Sequence, residues 1–129
     1  MRAIKMYQPP GKEAPFEAFL AQQDPKLRRK IRMTLFRMTR MELCELKEPH
    51  FKHFALERYS PFYELREKNK VLVRIVFTVC DGDILLLVPF VKKESRDTMR
   101  ALEQSISMLA DFRAHPDHAV NFTFREENT

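Results

Sequence analysis

Arg66 and Arg74 stand inside the apolar runs of PFYELREKNKVLVRIVF, residues 61–77. A packed strand ordinarily carries valine or threonine at such positions. A guanidinium there forfeits packing and offers a planar fork of donors that matches phosphate. Further on, FVKKESR places Lys92, Lys93 and Arg96 where a strand gives way to a helix. A helix N-terminus favours anions, and three cations beside it add to that field. Lysines also protect sheet edges, which accounts for Lys92 and Lys93 but not for Arg66 and Arg74. His115 and His118, in HPDH, are candidate acid–base groups, histidine being the residue type most used for that work. The plainer reading is a tail with incidental histidines. The H-x-x-H spacing has no evident third ligand, so no metal is expected. His50 and His53, on the approach to the strands, carry the same ambiguity.

These residues need elements to position them. AIKMY (3–7) reads as a first strand, ended by Pro9, Pro10 and Gly11. APFEAFLAQQ (14–23) sets Phe16, Phe19 and Leu20 on one helical face. Asp24-Pro25 then reads as a helix cap followed by proline in the first turn. Leu27, Ile31, Leu35 and Met38 form the apolar stripe of this second helix. Arg28, Lys30, Arg32, Arg37 and Arg40 lie largely off the stripe; this basic side could contact nucleic acid or an acidic partner, and a solvated helix face is the plainer reading. Residues 47–60 look irregular. Strands are expected over 62–66, 70–80 and 83–92, the last two joined by a tight Asp81-Gly82 hairpin. Ser95 opens the final helix, with Met99, Leu102, Ile106, Leu109 and Phe112 as its buried stripe. The expected class is α+β, ordered β-α-α-β-β-β-α, with one antiparallel sheet and the last helix at its end or edge. The domain spans 1–113. Residues 114–129 form a C-terminal tail in which VNFTF alternates as a strand would.

Composition narrows the function classes. The chain has 129 residues, enough for one core, and 44% are hydrophobic. No apolar run approaches the roughly 18 residues of a membrane span, and MRAIKMY lacks a secretory leader, so a cytoplasmic protein with no membrane partner is expected. Cys44 and Cys80 are far apart and are expected to be reduced packing residues. With only two glycines, a Rossmann or P-loop phosphate cradle is excluded. The net charge of +5 suits an anionic partner, with RNA or DNA ahead of an acidic protein.

Strand parity bears on the arginines. Val71, Val73, Ile75, Phe77 and Val79 share one apolar face, which leaves Lys70, Leu72, Arg74, Val76 and Thr78 on the other. If Glu67, Lys68 and Asn69 form a three-residue loop with Asn69 left-handed, Tyr63 pairs near Val73 and Arg66 near Lys70. Arg66, Lys70 and Arg74 then emerge from one side of the sheet, whereas a two-residue loop would split them.

The combination resembles the RelE/HigB toxins of bacterial type II toxin–antitoxin modules, in their phage-derived HigB-like branch. PPGKEAPFEAFLAQQDPKLRRKI is similar to that family's opening strand and two helices, and EPHFKH to its approach segment. FYELRE, VRIVFTV and PFVKKESRDTMRALEQS resemble its later signatures, in order and spacing. The resemblance implies a RelE-like, microbial-ribonuclease-type fold and a ribosome-dependent, metal-independent mRNA endoribonuclease without cofactor. It implies a helix-turn-helix antitoxin as partner, besides ribosome and mRNA. Arg74 then matches the arginine that stabilises the transition state, Arg66 a phosphate-holding or supporting arginine, and Lys70, Lys92, Lys93 and Arg96 substrate-binding positions. The sequence departs from the family at Val73, where an aromatic is expected, and at Met99, where RelE carries a tyrosine. Two alternatives stay open: a ParE-like gyrase inhibitor, and a non-catalytic prophage-derived binding module.

Overall fold

The computed structural model describes residues 1–124. The order is β1 (Ile4–Tyr7), α1 (Pro15–Ala21), α2 (Pro25–Met38), β2 (Phe51–His53), β3 (Phe62–Asn69), β4 (Val71–Cys80), β5 (Asp83–Val91), α3 (Ser95–Ala114) and β6 (Ala119–Asn121). Local signals account for most boundaries. Asp24 caps α2 by accepting from the Leu27 N–H at 2.9 Å, and Pro25 follows where its missing N–H costs nothing. At the β4–β5 corner Asp81 and Gly82 take φ of 51° and 83°, the left-handed pair that a two-residue hairpin demands. Glu94 and Asp97 close a reciprocal cap at the start of α3.

The six strands form one sheet in the order β2-β3-β4-β5-β1-β6. It is mixed rather than antiparallel: β1 runs parallel to β5, Ile4 opposite Ile84, while the other neighbours are antiparallel. Tight hairpins force β4 and β5 antiparallel. β1 reaches β5 only through two helices and three strands, so no turn dictates its direction. Two strands add to the expected order, one in a segment read as irregular and one where the tail already alternated as a strand would. β2 falls in the segment read as irregular and pairs with β3, and β6 is the tail's contribution, laid along β1.

β4 and β5 are apolar on both faces, so both faces must be covered. Leu65, Val73, Ile75, Phe77, Ile84 and Leu86 pack with α1 and α2 in one core. Phe62, Val76, Leu85, Leu87 and Val88 pack with Ala101, Leu102 and Leu109 of α3 in a second. The last helix therefore lies across a face, not at an end or edge. Its buried stripe is Ala101, Leu102, Ser105 and Leu109, and Met99, expected inside, is 49% exposed. Cys44 is exposed rather than packed, and Cys80 is half-buried. No helix among the described residues is long and apolar enough to cross a membrane.

Candidate functional site

The β3–β4 ladder decides how the two arginines meet. It does not stop at residue 66: pairing continues to Asn69 opposite Val71, and the chain turns at Lys70, whose φ is 65°. Glu67, Lys68 and Asn69 are thus strand, not loop. Tyr63 faces Phe77, and Arg66 faces Arg74 instead of Lys70. This register differs from the expected one by four residues, so parity survives and the arginines stay on one face. The longer ladder is held by α2. Thr34 Oγ1 donates to Glu67 Oε1 at 2.5 Å, Lys30 Nζ lies 3.6 Å from Glu67 Oε2, and Lys30 donates to the Lys68 carbonyl at 2.9 Å.

Beneath the arginine pair lies Glu64, 1% exposed. Arg66 Nε donates to its Oε1 at 3.1 Å, and Arg74 Nε stands 3.5 Å from the same oxygen. Among the described residues neither Glu64 Oε2 nor Arg74 Nε has a hydrogen-bond partner. One buried carboxylate thus holds Arg66 by a hydrogen bond and Arg74 by charge at 3.5 Å, leaving most of each outer fork for a ligand. Burial pushes Arg74 down from its ordinary pKa, Glu64 pulls it up, and Arg66 pushes it down again. Arginine starts so high that it stays charged. On the outer side Glu48, 67% exposed, brings its Oε1 to 3.6 Å from Arg66 Nη1.

β2 pairs only as far as Phe51 opposite Leu65, after which the Arg66 N–H donates to the His50 carbonyl at 2.8 Å. The rest of β3 borders a groove of about 830 Å³. Its cations are Lys30, Arg37, Arg40, Arg66, Lys68 and Arg74, and His50 also lines it. Three of these cations come from the basic side for which a solvated face was the plainer reading. Lys30 and Arg37 had a findable signal, since they lie two turns apart on one side of α2, and Arg40 follows in the turn after the helix. Glu64 had one too, since strand parity puts it on the Arg66 face as an ion-pair partner, although its burial was not legible; Glu48 had none.

Lys92 prolongs the β4–β5 ladder, its N–H donating to the Leu72 carbonyl at 2.7 Å. Parity puts it on the Arg74 face, one strand over. Lys70 is exposed at the hairpin tip, apart from the arginine pair. The field at the start of α3 is already answered by the chain's own carboxylates. Asp97 Oδ2 accepts from the Lys93 and Glu94 N–H groups at 2.8 and 2.9 Å, and Arg96 Nε donates to Glu94. Val73, where an aromatic was expected, is buried on the opposite face; Phe90 stands directly across from Arg74 in the ladder, and Phe36 and Phe51 line the groove. His115 and His118 sit at the other end of the 20-residue α3, about 30 Å along its axis. They do not join the arginine site.

A family model described as phage derived protein Gp49-like (DUF891) matches residues 18–109. That stretch holds Glu48, Glu64, Arg66, Arg74 and Lys92, and excludes β1, β6 and the His115–His118 turn. No curated protein and no solved structure gives a significant match.

Proposed function

The chain belongs to the phage-derived Gp49-like family, known in toxin–antitoxin contexts, and from that premise we propose that it is the toxin of a type II module of RelE/HigB type, a ribosome-dependent mRNA endoribonuclease. The observation that carries this reading is the cross-strand Arg66–Arg74 pair oriented on buried Glu64 in a cationic groove. mRNA supplies its own nucleophile: the 2′-oxygen attacks the adjacent phosphorus, the bond to the 5′-oxygen breaks, and a proton leaves the first oxygen and reaches the second. Charge builds on the phosphoryl oxygens, and preorganised donors there are the strongest lever an enzyme has. Arg74, the more buried of the pair, takes that role, and Arg66 grips the same phosphate. Glu48, exposed beside Arg66, is placed to take the 2′-proton, and His50 in the same groove to return one to the leaving oxygen. Lys92, Arg37 and Arg40 track the flanking backbone. Lys93, whose backbone N–H joins the helix cap, and Arg96, paired with Glu94, serve the ribosomal RNA at longer range. An antitoxin, of helix-turn-helix type, is the cognate partner.

Induced expression followed by 5′-end mapping of cellular mRNA tests the assignment. Codon-registered cuts that vanish in Arg74→Ala are expected. Growth arrest with intact mRNA and broken DNA would instead make the protein a gyrase poison and overturn it.

A further inference from the structure

Past α3 the chain turns through His115, Pro116, Asp117 and His118 into β6. The His115 N–H donates to the Asp111 carbonyl at 2.8 Å and the His118 N–H to the His115 carbonyl at 2.9 Å. Within this turn the two imidazoles stack, centroids 4.7 Å apart. One ligand atom from each of His115, Asp117 and His118 lies within 4.8 Å of the other two. The third ligand that the H-x-x-H spacing lacks is therefore Asp117, between the histidines. Two imidazoles and a carboxylate suit a borderline cation such as Zn²⁺.

An independent feature points the same way. His118 Nδ1 is 2.8 Å from Asp111 Oδ2, and the Tyr7 hydroxyl donates to that same oxygen at 2.6 Å. Facing a carboxylate, Nδ1 carries the proton, which leaves Nε2 as a free lone pair. A histidine steered in this way by a carboxylate, itself steered by another donor, is the usual support behind a metal ligand. Tyr7 is buried on β1, so the orientation is set by the core rather than by the turn.

We infer that His115, Asp117 and His118 form a three-ligand site for a divalent metal ion of the zinc class, with Asp111 and Tyr7 as its positioning pair. Tetrahedral bonds of roughly 2.0–2.1 Å put ligand atoms roughly 3.4 Å apart. The His115 and Asp117 side chains are exposed, which leaves them room to close from the present separations of up to 4.8 Å, and water takes the fourth position. The ion ties the end of α3 to the start of β6, fastening the edge strand. The site is separate from the arginine groove and does not rest on the RNA reading.

Untagged protein stripped with EDTA and titrated with Zn²⁺ against a chromophoric chelator at neutral pH tests this. One equivalent should bind and raise the melting temperature. His115→Ala and Asp117→Asn should each weaken binding at least about tenfold, and Asp111→Asn, acting only through His118, by about 10–100-fold. Circular dichroism reports whether Asp111→Asn still folds. If it does not, His115→Ala carries the test, because that exposed side chain stacks on His118 and lies outside the part-buried Tyr7–Asp111 hydrogen bond. Absence of stoichiometric zinc binding in the wild type, or unchanged binding in His115→Ala and Asp117→Asn, overturns the site. Neither readout involves RNA cleavage, so this inference and the toxin assignment fail separately.

Discussion

Glu64→Gln removes the single negative charge under two guanidiniums while keeping the side chain's shape. In the folded protein Arg66 and Arg74 face each other across the ladder, and Glu64 Oε1 stands 3.1 and 3.5 Å from their Nε atoms. Without that charge the two cations repel, and the more buried one loses its partner. Breaking a buried ion pair by removing one member costs about 3–5 kcal/mol. Here the Arg66 and Arg74 side chains are 26% and 13% exposed, so water screens part of the loss. Glutamine also keeps one acceptor for Arg66. The expected destabilisation is about 2–3 kcal/mol. Urea unfolding followed by circular dichroism measures it, with the midpoint lowered and the slope unchanged. The diagnostic arm is a cycle with Arg74→Met. In that background Glu64→Gln should cost no more than about 1 kcal/mol, because the repulsion and the orphaned cation are gone. Added salt should shrink the single variant's deficit by screening the two arginines. A cost below about 0.5 kcal/mol, or the same cost with and without Arg74, refutes the idea that Glu64 is the electrostatic keystone of the pair.

Three further outcomes are expected. Lys92→Ala should weaken RNA binding and lower the slope of log affinity against log salt by about 1, while leaving sequence preference unchanged, as titrations at several salt concentrations will show. Tyr7 is pushed up to about 12 by burial first and by its hydrogen bond to Asp111 second. Its folded value thus exceeds the unfolded 10, so its contribution is complete below pH 10 and lost between pH 10 and 12; stability measured across that window should fall less steeply in Tyr7→Phe, by at most about 2.7 kcal/mol. Phe77→Ala empties a fully buried site where the ring stacks on Tyr63 at 5.3 Å and meets Phe51 edge-on, and chemical denaturation should register a loss of about 3–5 kcal/mol.

The amino-acid sequence by itself determined everything that depends on neighbours in the chain. The Asp24-Pro25 helix start and the Asp81-Gly82 hairpin follow from side-chain capping and left-handed φ, which are local chemistry. Strand parity limited Arg66 and Arg74 to the same face or opposite faces according to the register, which the sequence left open. What only the tertiary structure decided is whatever depends on distant partners. The β3–β4 register is pinned by Thr34 and Lys30 on α2, so the turn moved to Lys70. The direction of β1 was free because no turn constrains it, and α3 found its face because β4 and β5 are apolar on both sides. The same holds at the two sites. A carboxylate such as Glu64 or Asp111 looks like any other acid in one dimension. It acquires a role only when folding buries it against particular arginines, or against a tyrosine and a histidine.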